Sequence, residues 1–442
     1  MHTILIFGAG KSATVLIDYL GKCCDENNWT LVVCDSNLGL AESKVKKFSS
    51  ARAVSIDVND VEARHNHISG ASIVISMLPP ALHFIVAKDC VDYSKCLLTA
   101  SYVDDSIRTL ENKIQEKGLL FLSEMGLDPG IDHMSAMKII DTIKRDGGKI
   151  ISFKSHCGGL VAPESDDNPW HYKITWNPRN VVMAGNAGAV FLENNQTVKI
   201  PYTDIFKDIN NNVNIPGLFP LAWYANRDSL SYIDTYDLHG VTDFIRTTLR
   251  YPSFCKGWNK IVTLDLTNAN DHEIIKECKT VESWFNLKKN IVSNEKKGTL
   301  NEGSFFDSDF VEQMDFLGLR SDETIPRGKL NSADILQYLL EKNLVMQPDD
   351  KDMIVMLHEI EYIIHGDTKK ISSCLVVKGD NDLYTSMAKT VGLPLGIAAK
   401  LILQNKINLT GIHIPVIPEI YDPILKELSE NGIRFTEEEF SM

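Results

Sequence analysis

Residues 3–35 constrain the fold more than any other part of the chain. Thr3-Ile4-Leu5-Ile6-Phe7 is an uninterrupted apolar run, the pattern of a strand buried on both faces of a parallel sheet. It enters Gly8-Ala9-Gly10-Lys11-Ser12-Ala13, a GxGxxA turn. Gly8 suits the tight turn, Gly10 lets backbone approach a pyrophosphate, and small Ala13 permits close helix–strand packing. Val15, Leu16, Tyr19 and Leu20 mark the next helix, whose first amides would face that phosphate. Trp29 to Cys34 reads as a second strand, ending at Asp35, where an acid about 20 residues past the turn hydrogen-bonds a ribose diol. This order predicts a dinucleotide-binding unit with Gly8, Gly10, Lys11, Ser12, Ala13 and Asp35 at the cofactor. A carboxylate at Asp35 repels a 2′-phosphate, so NAD is expected over NADP, with NADP the alternative. Lys44, Lys46 and Lys47 are expected to form a solvated face rather than a phosphate clamp.

The alternation continues with strands expected at Ala53–Val58, Ser72–Leu78, Cys96–Tyr102 and Leu119–Leu122. In open parallel sheets the ligand crosses the carboxyl ends of the strands. Asp57, Leu78 and Ala100 therefore join the expected cofactor contacts, with Ser101, Tyr102 and the segment Glu124 to Asp128 around the same crevice. There, Gly126-Leu127-Asp128-Pro129-Gly130-Ile131-Asp132-His133 packs two glycines, a proline, two acids and an imidazole into a forced turn. Met134, Met137, Ile140 and Ile143 give a helical period after it, so Asp132 is expected to cap that helix.

Beyond this unit, strands are expected at Ile150–Ser155, Val198–Ile200 and Ile354–Ile364, the last turning back at His365-Gly366-Asp367. Residues 257–345 carry helical patterns only, and Glu437-Glu438-Glu439 reads as a solvated tail. The fold class is α/β: a Rossmann-type parallel-sheet domain plus a mixed-sheet α+β domain with a small all-helical insertion. Expected boundaries are 1–128 with 385–442 packing back on it, 129–256 with 346–384, and 257–345. A net charge of −14 argues against nucleic acid and anionic membrane as partners. No apolar run is read as long enough to span a bilayer, and nine scattered cysteines with no CxxC pair suggest reduced thiols in the cytoplasm. No metal is expected.

The chain resembles saccharopine dehydrogenase of the glutamate-forming type. The matching strings are Leu98-Thr99-Ala100-Ser101-Tyr102, Gly126 to His133, Ser155-His156-Cys157-Gly158-Gly159-Leu160, Asn226-Arg227-Asp228-Ser229 and Thr248-Leu249-Arg250-Tyr251, with others at Lys351 to Met356 and Ser386 to Gly392. It departs at His156, where a tyrosine is common, and at Thr247 within Arg246 to Tyr251.

The resemblance implies oxidation of the secondary amine of saccharopine, in lysine metabolism, by a homodimer. It places Ser101, Asp128, Arg227, Thr248, Leu249 and Arg250 around the substrate. A substrate with three carboxylates needs local arginines, and Arg227 and Arg250 are the candidates. Asp128, Tyr102, His133 and Cys157 are candidates for proton transfer; Asp128, Tyr102 and Cys157 are carried forward as catalytic. Two alternatives stay open: an imine-reducing dehydrogenase of polyamine-pathway type, and a non-catalytic nucleotide redox sensor.

Overall fold

A computed structural model describes residues 2–207, 211–295 and 302–442. Part of the expected helical stretch, residues 296–301, lies outside them. The chain divides into two units, Met1–Lys149 with Val377–Thr436, and Ile150–Val376 with Glu437–Met442.

The first unit is a parallel sheet of strands β1 (Thr3–Phe7), β2 (Thr30–Asp35), β3 (Ala51–Ser55), β4 (Ile73–Ser76), β5 (Cys96–Thr99) and β6 (Leu120–Leu122), joined by Gly411–His413. Its spatial order is β3-β2-β1-β4-β5-β6 followed by that last strand. This is the doubly wound order whose strand sequence reverses between β1 and β4. Ile4, Leu5, Ile6 and Phe7 are each at most 1 % exposed, as their unbroken apolar run requires. β3 runs over 51–55 rather than 53–58, because it pairs only with β2 and Ala51–Ser55 match Leu31–Asp35 in register.

This unit extends past residue 128 to Lys149. The helix Ile131–Arg145 packs on the helix Pro418–Glu430, and Tyr421 Oη donates to Asp141 Oδ2 at 2.6 Å. The helix Ser386–Leu403, with Pro394 inside it, packs against the helix Thr14–Asn27. A Cβ on Gly392 would stand 2.7 Å from the Leu16 amide nitrogen, so the two backbones meet where no larger residue fits. By length and hydropathy this helix could cross a bilayer, contrary to the sequence expectation, but 72 % of it is buried within the structure.

The second unit is a mixed sheet. Asn212–Val213, Leu221–Ala225, Asp243–Arg250, β7 (Lys149–Val161), Asp352–Ile364, Asp367–Lys378 and Thr436–Ser441 lie in that order. Asp243–Arg250 is parallel to β7 and antiparallel to Leu221–Ala225. His365 (φ 53°) and Gly366 (φ 92°) make the expected turn between the two long strands. Between residues 252 and 343 the described elements are all helices, joined by turns. They are not a separate unit, since Phe254, Trp258, Trp284 and Leu336 share one core with Phe191, Tyr224 and Ile245 from the strands. The acidic tail is an edge strand: Glu439 accepts from Tyr362 Oη and pairs with Lys369 at 2.9 Å. All nine cysteines are free thiols.

Candidate functional site

The first unit gathers the expected cofactor residues at the carboxyl edge of its sheet. Gly8 has φ +100°, and a Cβ there would stand 2.9 Å from the Met77 carbonyl oxygen. A Cβ on Gly10 would meet nothing within 4 Å, so the outer face of the turn is open to a phosphate. Lys11 is exposed, Ser12 half-buried and Ala13 buried at the start of the following helix. Asp35 Oδ2 accepts from the Ala9 amide at 2.7 Å, and Oδ1 accepts from the Asn37 amide at 2.8 Å. These residues fit a dinucleotide: an open amide turn for its pyrophosphate and a fixed carboxylate for a ribose diol.

One flanking expectation, that of the lysine face, changes. Lys44 is not on a solvated face; it donates to Thr14 Oγ1 at 2.9 Å and to the Gly10 carbonyl oxygen at 2.5 Å. Burial pulls its ammonium pKa down to about 8, against the opposing pull of Asp35. Lys47 is tied to Asp18 and to Tyr384 Oη. Asp57 is exposed beyond the end of β3, where Oδ1 accepts from the Asn59 amide at 2.9 Å and from Asn59 Nδ2 at 3.0 Å. Its carboxylate shapes a turn. Leu78 is half-buried and packs against the hydrophobic core, as its apolar side chain favours.

The loops after β5 and β6 are laced together. The Glu124 amide donates to the Ser101 carbonyl at 3.0 Å, and the Met125 amide to that of Thr99 at 3.1 Å. Ala100 lies under the glycine turn, its Cβ 3.1 Å from where a Gly126 Cβ would stand. Glu124 Oε2 is 2.9 Å from Nε2 of fully buried His133, and Oε1 accepts from the Val103 amide at 3.3 Å. His133 thus supports the turn from inside. Asp132 is not the cap: Gly130 holds that position, and Asp132 Oδ1 accepts its amide at 2.6 Å. Between Leu119 and Met137 every residue is buried except Asp128. The fold therefore presents that one carboxyl group from an otherwise enclosed segment. Ser101 and Tyr102 are half-buried just beyond the end of β5. The Asp128–Pro129 peptide is cis.

Gly130 has φ +146°, and a Cβ there would lie 2.0 Å from the Gly126 carbonyl oxygen. Gly130→Ala should therefore cost roughly 3 kcal/mol or more in strain and overlap. The urea midpoint of the purified variant checks this; an unshifted midpoint would show that the turn relaxes freely.

The remaining residues lie in the second unit. Strand alternation puts Thr248 and Arg250 on one face and Leu249 on the other. Leu249 is fully buried in a core with Leu160, Val161 and Val355, so only its backbone is left to meet a ligand on this strand. Gly158 follows from the same packing, since a Cβ there would stand 2.6 Å from the Leu249 carbonyl oxygen. Buried Cys157 pairs with Thr248 across β7. His156 Nδ1 is 2.6 Å from Thr247 Oγ1, and its Nε2 is 3.4 Å from Glu359 Oε2. The two departures from the family strings thus face each other. Arg227 is exposed with φ 52°, a left-handed conformation that side chains seldom adopt.

Arg250 is 5 % exposed. Its Nη1 donates to its neighbour Leu249's carbonyl at 2.7 Å, and its guanidinium lies 5.2 Å from the Tyr172 ring and 5.6 Å from the Phe254 ring. Its Nε has no hydrogen-bond partner, and no carboxylate among the described residues pairs with it. A buried cation with unused donors is costly unless an anion completes it.

Sequence reasoning missed His83 and misplaced Lys44, whereas His133 does lie inside the following helix and supports the turn, as its position after Gly130 implied. His83 had a local signal: it opens a helix just after Pro79-Pro80 at the end of β4.

Fold and turn together give the first unit the arrangement of a Rossmann-type dinucleotide-binding domain. The saccharopine dehydrogenase NADP-binding domain model matches residues 4–122, and the saccharopine dehydrogenase C-terminal domain model matches 126–433. The chain belongs to the saccharopine dehydrogenase family. It is 32 % identical to saccharopine dehydrogenase [NADP(+), L-glutamate-forming] of Schizosaccharomyces pombe, over 99 % of each chain. It is 34 % identical to mouse mitochondrial alpha-aminoadipic semialdehyde synthase, over 98 % of this chain but 47 % of the relative. The chain thus spans about half the length of such relatives. The solved structure of apo saccharopine dehydrogenase (L-Glu forming) from Saccharomyces cerevisiae superposes over 100 % of both chains, with TM-score 0.88 and 31 % identity.

Proposed function

We propose that the protein oxidises the secondary amine of saccharopine. Saccharopine, NAD(P)⁺ and water give L-glutamate, 2-aminoadipate 6-semialdehyde, NAD(P)H and a proton. The observation that carries this reading is Arg250, whose buried guanidinium has aromatic walls and no carboxylate partner among the described residues. An anionic substrate supplies the missing charge, and a planar carboxylate fits the fork of donors. Exposed Arg227, held in a strained conformation, is the second carboxylate contact.

The open turn at Gly10 and the carboxylate of Asp35 would hold the dinucleotide, which when bound would supply a hydride acceptor for the substrate carbon. Asp128 and Ser101 then orient the substrate nitrogen, because positioning supplies much of the acceleration in such a transfer. Hydrolysis of the carbon–nitrogen double bond left in the substrate needs proton transfer. Asp128, the one unburied group of its segment, and half-buried Tyr102 are suited to it. Cys157 is 6 % exposed and borders the same Arg250 strand as a neighbour of Thr248.

Asp35 supports NAD as the preferred cofactor, although the yeast relatives are named for NADP(+). The test is absorbance of reduced nicotinamide as the purified protein meets saccharopine, once with NAD and once with NADP. Turnover is expected with NAD, at the higher kcat/KM. No reduction with either cofactor would remove the reading and favour another amine–carbonyl conjugate.

A further inference from the structure

His83 opens the helix His83–Asp92 and is 3 % exposed. Its ring bridges two hydroxyls from neighbouring strand ends. Nδ1 is 2.8 Å from Ser76 Oγ, on the last residue of β4, and Nε2 is 2.8 Å from Ser101 Oγ, just beyond β5. Thr99 Oγ1 lies 3.4 Å from Nε2 and accepts the Ser101 amide at 3.2 Å. Both ring nitrogens are therefore spent on side chains at the edge of the sheet where a dinucleotide and its substrate lie.

Burial pushes the His83 pKa down to about 4, so at neutral pH the ring is uncharged, with one donor nitrogen and one acceptor. The two serines must then take opposite roles. If Nε2 accepts, Ser101 gives its proton to the ring and offers lone pairs to the ligand. If Nε2 carries the hydrogen, Ser101 keeps its own proton for a ligand oxygen. Either way the hydroxyl of Ser101 cannot rotate freely.

We infer that His83 is a positioning residue for the substrate reaction: anchored by Ser76, it fixes the direction and hydrogen-bonding sense of the Ser101 hydroxyl. This deepens the proposed saccharopine activity and rests on it. Asparagine at 83 can keep an amide near the Nδ1 position, facing Ser76, but is too short for Ser101. Glutamine reaches the Nε2 position.

Steady-state kinetics of His83→Asn, His83→Gln, Ser101→Ala and the double variant His83→Asn with Ser101→Ala test this. His83→Asn and Ser101→Ala should each lower kcat/KM for saccharopine on the order of tenfold, the worth of one well-placed hydrogen bond. The dissociation constant of the dinucleotide should stay within about twofold, His83→Gln should recover most of the loss, and the double variant should be no worse than Ser101→Ala. Losses that multiply, a glutamine no better than asparagine, or wild-type rates in His83→Asn would each overturn the proposal.

The ring's ¹⁵N resonances in protein labelled at histidine give a readout free of turnover. Ser101→Ala should move the Nε2 resonance of His83 and leave Nδ1 nearly in place. Two unmoved resonances would overturn the proposal even if saccharopine proved not to be the substrate, whereas a moved Nε2 in a protein inert to saccharopine would remove only the proposed reaction. The same measurement covers a His83→Asn chain that fails to fold.

Discussion

Replacing Arg250 with methionine is expected to remove nearly all saccharopine turnover while leaving the fold as stable as before, or more so. The two effects have one cause. The guanidinium is buried, donates to one carbonyl, rests on Tyr172 and Phe254, and has no carboxylate partner among the described residues. In the unliganded protein it is a charge held out of water for little return. An apolar side chain of similar length in place of buried ionic groups is commonly neutral or stabilising. With substrate bound, the same charge faces a carboxylate, and removing it strands that anion. Truncating one partner of a buried charge pair costs roughly 2–5 kcal/mol, about 30- to 4,000-fold in kcat/KM.

Lysine keeps the charge but loses the planar fork and the stacking, so Arg250→Lys should recover only part of the loss. Urea unfolding and kcat/KM, measured on the same preparations, separate the outcomes. If methionine lowered the unfolding free energy by several kcal/mol and left turnover intact, Arg250 would be a structural group and the carboxylate reading would fail. Dinucleotide affinity should not change, since the cofactor residues belong to the other unit.

The first unit was largely legible because its signals are local. An apolar run, a glycine turn and an acid at fixed spacing depend on residues a few positions apart, and β1 and β2 fell almost where periodicity placed them. Boundaries were less legible, because they depend on partners. β3 stops where β2 stops, and the helix Ile131–Arg145 joins the first unit through a helix nearly 300 residues later in sequence. The acidic tail became an edge strand for the same reason: Tyr362 and Lys369 receive Glu439, and nothing near it in sequence says so.

In the candidate site, residue type was readable and side-chain direction was not. Arg250 and Leu249 looked equally available in the string Thr248 to Tyr251, yet alternation turns Leu249 into the core. Lys44 looked like a member of a basic surface run until tertiary packing brought it to the Gly10 carbonyl.

Asp35→Asn should reverse the cofactor preference. The substitution keeps the shape of the side chain and one carbonyl oxygen to accept from Ala9, so the turn should survive. What changes is charge. A carboxylate accepts two strong hydrogen bonds from a ribose diol and opposes a 2′-phosphate. Two unit charges about 5 Å apart at an effective dielectric near 20 interact by about 3 kcal/mol, and solvent at this half-exposed site will screen part of that. The ratio of kcat/KM for NAD over NADP should therefore fall about 100-fold in the variant, by a loss with NAD and a gain with NADP. Lys44 sharpens the test. Its ammonium donates to the Gly10 carbonyl at the turn and has a pKa of about 8 that Asp35 holds up; below about pH 7 it stays a cation for a phosphate once the carboxylate is neutral. Lys44→Gln in the Asp35→Asn background should take back the gain with NADP and leave NAD nearly unaffected. A wild-type protein that strongly prefers NADP, with a ratio indifferent to Asp35→Asn, would mean that the carboxylate is fully occupied by the Ala9 and Asn37 amides and never meets the ribose.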